Sequence, residues 1–291
     1  MTNLSVALAT YNEENNLTEC LESVKDLADE IVIVDGSSED LTVKIAKKYG
    51  AKVLVKDNPP IFHINKQKAL DIASCDWILQ LDADERVSQE LKEEIKKVIS
   101  LPEKELEIYQ DNLPDKKLFL RHQKLIEKRD GAIGSEGQYV AFFIPRLNYF
   151  LGKYLRYGGV YPDGVIRLFK KGKAHFPSID VHEQIEVNGR VGWLQNPLYH
   201  KDSPTLKRYW QRNNRYTDLM ARQMKNDNIG VNSQNAIKYL VIKPIWWLLL
   251  TQIRHKGILD GFQGFIFSFF SSLRFPRAYL KYINICKKNS K

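Results

Sequence analysis

Four short strand-like runs in the first hundred residues, each followed after a few residues by a helical pattern, leave this chain few folds to choose from. Leu4-Ser5-Val6-Ala7-Leu8-Ala9, Glu30 to Val34, Lys52 to Val55 and Asp76 to Leu81 read as buried strands. The stretches from Leu17 to Leu27, from the second strand to about Tyr49, and from Asn65 to Ala73 read as helices, and another begins near Gln89. Strand and helix in strict alternation imply parallel strands joined by right-handed crossovers, an α/β doubly wound sheet. Such sheets bind ligands beyond the C-terminal ends of their strands. No GxGxxG follows the first strand, so a single nucleotide fits that edge better than a dinucleotide.

The residues that follow the strands are polar and acidic. Thr10-Tyr11-Asn12-Glu13 follows the first, Asp35-Gly36-Ser37-Ser38 the second and Asp82-Ala83-Asp84-Glu85 the fourth. Alternate residues of an extended segment point the same way, so Asp82 and Asp84 can converge on one ligand while Ala83 leaves room for it. Two such carboxylates hold a hard divalent cation against a nucleotide diphosphate. Other readings stand beside this one. Asp84 or Ser88 serves equally as a helix N-cap, as does Asn12 or Asn15, and Asp35 serves as a turn residue before Gly36.

Charge and cysteine content narrow the partners. The 291 residues carry a formal net charge of +9, with Lys and Arg dense in 116–129, 167–173, 201–215 and the C-terminal tail. Basic patches of this kind suit anionic lipid headgroups or phosphorylated glycans. Nucleic acid is not expected as a partner, because no recognised binding motif accompanies the charge. Three widely spaced cysteines, Cys20, Cys75 and Cys286, read as reduced thiols rather than a disulfide or zinc framework. The first strand begins at Leu4 with no charged-then-apolar leader, which points to the cytoplasm.

Four motifs in order resemble the nucleotide-binding half of a family 2 glycosyltransferase with the GT-A fold: ATYNEE, IVIVDGSSED, HINKQKALDIASCDWI and LDADE. The second half resembles bacterial lipopolysaccharide core β-glucosyltransferases through GKYLRYGGVYPDGVIRLFKKGKA, VHEQIEV, RYTDLMA, KPIWWLL and DGFQGF. The resemblance implies that Thr10, Tyr11 and Glu13 line the base and ribose pocket and that Asp35 hydrogen-bonds the base. It implies that Asp82 touches ribose or metal, that Asp84 ligates Mg²⁺ or Mn²⁺, and that Lys66 lies where related enzymes face the diphosphate. In some relatives a later histidine completes the metal shell, which makes His200 a candidate ligand. The implied reaction moves a sugar, most simply from a UDP-linked donor, to a glycan or lipid-linked acceptor. A polyprenyl-phosphate glycosyltransferase, a nucleotidyltransferase and a non-catalytic nucleotide-binding scaffold are the rival readings.

Transfer with inversion needs one carboxylate opposite the leaving group to deprotonate the acceptor hydroxyl. The candidates are Asp180 and Glu183 in Asp180-Val181-His182-Glu183, and family analogy favours Glu183. His182 either contacts the donor or is structural. Arg167 either binds diphosphate or an anionic acceptor, or pairs with Asp163 at the surface. Residues 1–100 thus form a nucleotide-sugar half, 101–204 an insertion and acceptor half, and 205–291 a helical, membrane-associated region. Residues 103–138 lack steady periodicity and read as a surface excursion or helical insertion. In the last region Lys243 and Pro244 interrupt the apolar run 239–250, and the run 262–270 is short, so an in-plane anchor on an anionic membrane surface is expected rather than a spanning helix.

Overall fold

The computed structural model describes residues 3–177 and 185–289. Asp180, Val181, His182 and Glu183 lie outside the described residues. The chain forms two compact units, one comprising residues up to Arg146 with Pro162–His200, the other Leu147–Tyr161 with Lys201 onwards. The first unit thus joins the nucleotide half to most of the expected acceptor half.

In the first unit the alternation expected from sequence is present. It runs β1 (Leu4–Thr10), α1 (Glu14–Glu22), β2 (Glu30–Asp35), α2 (Thr42–Lys48), β3 (Lys52–Val55), α3 (His63–Ile72) and β4 (Trp77–Leu81). There follow β5 (Glu85–Val87), α4 (Gln89–Ser100), α5 (Glu103–Asp111), α6 (Lys116–Asp130) and β6 (Tyr139–Ile144). The second unit contributes β7 (Arg146–Phe150, whose first residue belongs to the first unit) and β8 (Lys153–Leu155). The first unit resumes with β9 (Val165–Lys170), β10 (Ala174–His175), β11 (Glu186–Val187) and β12 (Arg190–Trp193). β13 (Leu198–Ser203) carries the chain back to the second unit, where α7 (Leu206–Asn226) opens the helical region.

Seven strands form one sheet in the order β12-β6-β9-β4-β1-β2-β3. β4, β1, β2 and β3 are mutually parallel, and β9 runs antiparallel to both β4 and β6. β4 is buried along its whole length, which explains its continuous apolar reading. Leu8, Leu17, Leu21, Ile33, Leu79, Leu91 and Ile95 meet in the main core.

One buried carboxylate ties this sheet together. Glu30 accepts from Ser5 Oγ at 2.5 Å and from the Ser74 amide at 2.7 Å, and pairs with Lys52 at 2.5 Å. Burial opposes its ionisation, but these partners outweigh it and lower its pKa from 4.5 to about 2. Because the folded-state value is depressed, this stabilisation is full above the ordinary value and fades as pH falls through about 2. Glu30→Gln is therefore expected to lower the urea midpoint clearly at pH 7, and the gap to wild type to narrow in acid. A gap that stays constant with pH would remove the ionised carboxylate from the account.

Of the two readings of residues 103–138, the helical one agrees with the structure, which has two helices there, α5 and α6. Phe119 of α6 stacks on Trp193 at 4.7 Å, and the Gln110 side chain brackets the Trp193 backbone, donating to its carbonyl at 2.8 Å and accepting from its amide at 2.9 Å. Few of their apolar residues are buried, so the periodicity is faint.

In the second unit a hairpin of β7 and β8 precedes four long helical stretches, α7, then Ser233–Arg254, Gly261–Ser272 and Arg274–Asn289, with a short 3-10 turn at Gly257–Asp260. Ala221, Met224, Tyr239, Ala278, Tyr279 and Tyr282 form one core cluster, and Phe150, Leu155 and Tyr209 another. Lys243 and Pro244 do not interrupt the helix as the sequence suggested. It runs unbroken for 22 residues and is long and apolar enough to cross a membrane. Wide π-type turns at Lys238–Ile242 and Leu250–Arg254 flank the proline segment. Such a turn gives room for a ring that would otherwise strike the preceding carbonyl.

Candidate active site

The register of three neighbouring strands brings the candidate loops together. Thr10 pairs with Asp35 across β1 and β2, and Leu8 with Leu81 across β1 and β4, so Asp82 emerges beside the end of β1. All three loops therefore leave from one edge, at the C-terminal ends of adjacent parallel strands.

On the β1–β2 side, Asp35 is fully buried. Its carboxylate accepts from Thr10 Oγ1 at 2.8 Å, from the Ser38 amide at 2.7 Å and from Ser38 Oγ at 2.7 Å. Asn12 is not a helix cap; its amide donates to Ser38 Oγ at 2.8 Å and its side-chain oxygen accepts from the Glu39 amide at 2.9 Å. Asn12 and Ser37 both lie in the left-handed region, at φ 54° and 62°. Such backbone, rarely adopted outside glycine, persists where surrounding bonds fix it, and here each loop is fixed by the other. Glu13 accepts from Asn16 Nδ2 at 2.8 Å, within its own helix turn, while Tyr11 stands half exposed above the loop.

Beyond β4 the chain turns at Asp82-Ala83-Asp84 and enters β5. Ser88, not Asp84, caps α4, accepting from the Leu91 amide at 3.1 Å. Asp82 sits between two cations: Lys66 Nζ at 2.5 Å and Arg167 Nη2 at 2.6 Å. Lys66 is thus a buried member of this cluster and not a solvated helix lysine. Arg167 likewise does not pair with Asp163. It is buried, bonds Gln80 and Asp82, and reaches Glu85 at 2.8 Å, while Asp163 pairs with Arg146 at 2.9 Å. Glu85 has no exposed surface; it accepts from the Asp82 amide at 2.9 Å and also meets Arg146 at 3.3 Å. Burial alone would raise the Asp82 pKa, yet Arg167 and then Lys66 hold it well below the usual carboxylate range. Burial depresses Arg167 in turn, and Asp82 and Glu85 outweigh it, so its pKa rises.

Asp84 has a different partner, His200, whose Nε2 lies 3.4 Å from Asp84 Oδ2. Burial works against its ionised form, but the hydrogen bond from His200 prevails and its pKa is lowered. No sequence spacing links the two residues. The antiparallel pairing of β13 with β5 does, because it sets His200 opposite Glu85. The turn is also braced from beneath: Arg86 donates to the Ala83 carbonyl at 2.7 Å and to the Asn16 carbonyl at 2.9 Å, and Cys20 Sγ lies 3.7 Å from the Asp82 carbonyl.

Exposure separates ligand-facing groups from supports. The side chains of Asp82 and Asp84 keep 32% and 25% of their surface, against 8% or less for Lys66, Arg167 and Glu85. A divalent cation fits this arrangement in a particular way. Among the described residues no group of three His, Cys, Asp or Glu side chains is gathered as a cage. Mg²⁺ and Mn²⁺ are commonly held by one or two carboxylates together with substrate phosphates, and Asp84 with His200 offers one oxygen and one nitrogen for that purpose. Asp82 already has two cationic partners. Sequence reasoning missed Gln80, Glu85, Arg86 and Arg146 as supports; the polar Gln80 inside the buried run Trp77–Leu81 was the available signal.

Comparison with known proteins decides the family. The pattern of the family described as "Glycosyl transferase family 2" matches residues 5–161. The chain belongs to glycosyl transferase family 2. It is an enzyme of the glycosyltransferase class, and its seven-stranded, mostly parallel sheet is the GT-A type of architecture. An uncharacterized glycosyltransferase of Rickettsia typhi is 28% identical over 99% of this chain and 90% of its own length. The lipopolysaccharide core biosynthesis glycosyltransferase LpsC of Rhizobium meliloti is 25% identical over 93% of this chain and 91% of its own. Among solved structures, a glucosyl-3-phosphoglycerate synthase from Mycobacterium tuberculosis overlaps locally, at 25% identity and a TM-score of 0.27, over 29% of this chain and 34% of that one.

Proposed function

We propose that this family 2 glycosyltransferase moves a sugar, with inversion, from a UDP-linked donor to a glycan or lipid-linked acceptor of the bacterial cell envelope, as in lipopolysaccharide synthesis. The observation that carries the reading is the meeting of Thr10–Asp35 with Lys66–Asp82–Arg167 and Asp84–His200 at the edge of three adjacent parallel strands. Thr10, Tyr11, Glu13 and Asp35 are assigned to the nucleoside pocket: the half-exposed Tyr11 ring can cover a base, while the buried Asp35 holds the pocket in shape through Thr10 and Ser38. Asp84 and His200 would hold Mg²⁺ or Mn²⁺, which supplies charge neutralisation on the departing diphosphate. Lys66 and Arg167 keep Asp82 ionised and add positive charge beside the same leaving group. Full-length similarity to LpsC supports an envelope acceptor.

Glu183 is assigned as the base, with Asp180 the alternative. Their segment is bracketed by the β10–β11 pair, which joins His175 to Glu186. Lys66 Nζ lies 5.9 Å from the centre of the Phe176 ring, two residues before the first of the residues outside the described ones. Glu183→Gln is expected to leave UDP affinity intact and to reduce turnover by ~10²-fold or more. Unchanged turnover would transfer the role to Asp180.

The second unit is assigned to the cytoplasmic face of the inner membrane as a peripheral anchor. Lys243 lies near the middle of the 22-residue helix, where a spanning arrangement would put its charge at the bilayer centre at a cost of about 3 kcal/mol. A helix lying in the interface avoids that cost.

Calorimetric titration with UDP and with GDP, each with and without Mn²⁺, tests the donor assignment. Saturable, Mn²⁺-dependent binding selective for UDP is expected. The absence of nucleotide binding under every condition would remove the reading.

A further inference from the structure

We infer that the helical unit holds a specific seat for the phosphate of an anionic membrane lipid, formed by Lys238, Lys243 and Arg274 against Trp246, Trp247 and Phe275. This deepens the membrane-surface assignment above and does not depend on the transfer reaction.

The charge balance of the region is one-sided. From Asn228 to Lys291 the chain has ten Lys and Arg residues and one carboxylate, Asp260. That carboxylate is buried and committed, accepting from the Tyr157 amide at 2.8 Å and the Arg156 amide at 3.1 Å. No carboxylate in this stretch is therefore left to neutralise Lys238, Lys243 or Arg274. They rest on aromatic rings instead. Arg274 lies 4.0 Å over Trp247 and 4.9 Å over Phe275, and Lys243 lies 4.1 Å over Tyr239. Ring faces orient cations without consuming their hydrogen-bond donors.

The three cations and three aromatic rings, with Ile242, line a cavity of about 480 Å³. Its walls are fixed: Trp247 Nε1 donates to Ser271 Oγ at 3.0 Å, joining the Ser233–Arg254 helix to Gly261–Ser272. Arg274 lines the cavity together with Lys238 and Lys243, and a phosphate oxygen is the acceptor that guanidinium geometry favours.

The surroundings select a lipid as the source of the phosphate. Ile237, Val241, Ile245, Leu249 and Ile253 recur every fourth residue along the same helix, each 49% to 72% exposed. Phe262, Phe265 and Phe269 add exposed rings on the next helix. Exposed apolar surface on this scale marks an interaction site. A free phosphate would use the cations and leave this stripe in water, whereas a lipid satisfies both.

Flotation of the full-length protein with phosphatidylcholine vesicles, with and without phosphatidylglycerol, tests the seat. Binding that requires phosphatidylglycerol is expected for wild type, and Lys243→Gln/Arg274→Gln is expected to weaken it about 30-fold, roughly fivefold per charge. The exposed pair Lys207→Gln/Lys287→Gln removes the same net charge and is expected to cost less than about threefold, because remote charges are screened. Lys243→Arg/Arg274→Lys, with unaltered circular dichroism, should restore most of the binding. Equal losses in the two Gln double variants would overturn the seat and leave the membrane assignment standing; no vesicle binding by wild type would overturn both. Saturable binding of inorganic phosphate, with vesicle affinity indifferent to phosphatidylglycerol, would overturn the choice of a lipid.

Discussion

Asp84→Asn is expected to fold normally, to lose Mn²⁺-dependent UDP binding and to lose turnover by ~10³-fold or more, as several kcal/mol of charge stabilisation on the leaving group disappear. The expectation rests on where Asp84 stands. It is partly exposed and outside the Asp82 cluster, and its close partner is His200, itself able to ligate a metal. An amide keeps the shape and one acceptor oxygen while removing the charge a divalent cation needs. Nucleotide titration separates metal loss from unfolding: the variant should retain its thermal transition while Mn²⁺ ceases to improve UDP affinity. Wild-type turnover in Asp84→Asn would remove this carboxylate from the metal site.

Glu85→Ala should act on stability. Glu85 is completely buried and compensates two arginines, Arg167 at 2.8 Å and Arg146 at 3.3 Å, while also accepting from the Asp82 amide. Breaking a buried ion pair from one side strands the opposite charge and costs about 3–5 kcal/mol, a large share of the ~5–15 kcal/mol that holds a typical protein folded. The melting temperature should fall by on the order of 10 °C. Glu85→Gln, which keeps an acceptor oxygen, should fall less. An unchanged melting temperature in Glu85→Ala would mean that the arginines find other partners and that the carboxylate is not a structural centre.

The strand–helix alternation of the first hundred residues was legible because β1, β2 and β4 are buried almost throughout, while the edge strand β3 is short and β-branched, and each acidic loop follows an apolar run. The Thr10–Asp35 and Asp82–Asp84 loops could be placed on one edge for the same reason. The cation cluster was not legible. Arg167 and Asp82 are 85 residues apart, and a lysine in the pattern His63-Ile64-Asn65-Lys66 looks like any helical lysine until Phe62 and Phe176 close around it. The Asp84–His200 contact depends on an antiparallel register between a three-residue strand and a distant one, which no local pattern encodes. The helix through Lys243-Pro244 was misjudged because a proline reads as a stop, whereas the π-type turn just before it gives its ring space.

The dependence of the Asp82 turn on Arg167 has a consequence during synthesis. Asp82 and Glu85 leave the ribosome 85 and 82 residues before the arginine that neutralises them. At ~5–20 residues per second that interval is on the order of ten seconds. Over that period the nascent nucleotide half carries these acidic groups without Arg167, and Asp84 waits longer still for His200. A chain arrested before Arg167 should therefore be unable to retain UDP. On the proposed donor assignment the grip is expected to mature only as the later strands arrive, so that an incomplete chain neither sequesters nor hydrolyses a sugar nucleotide.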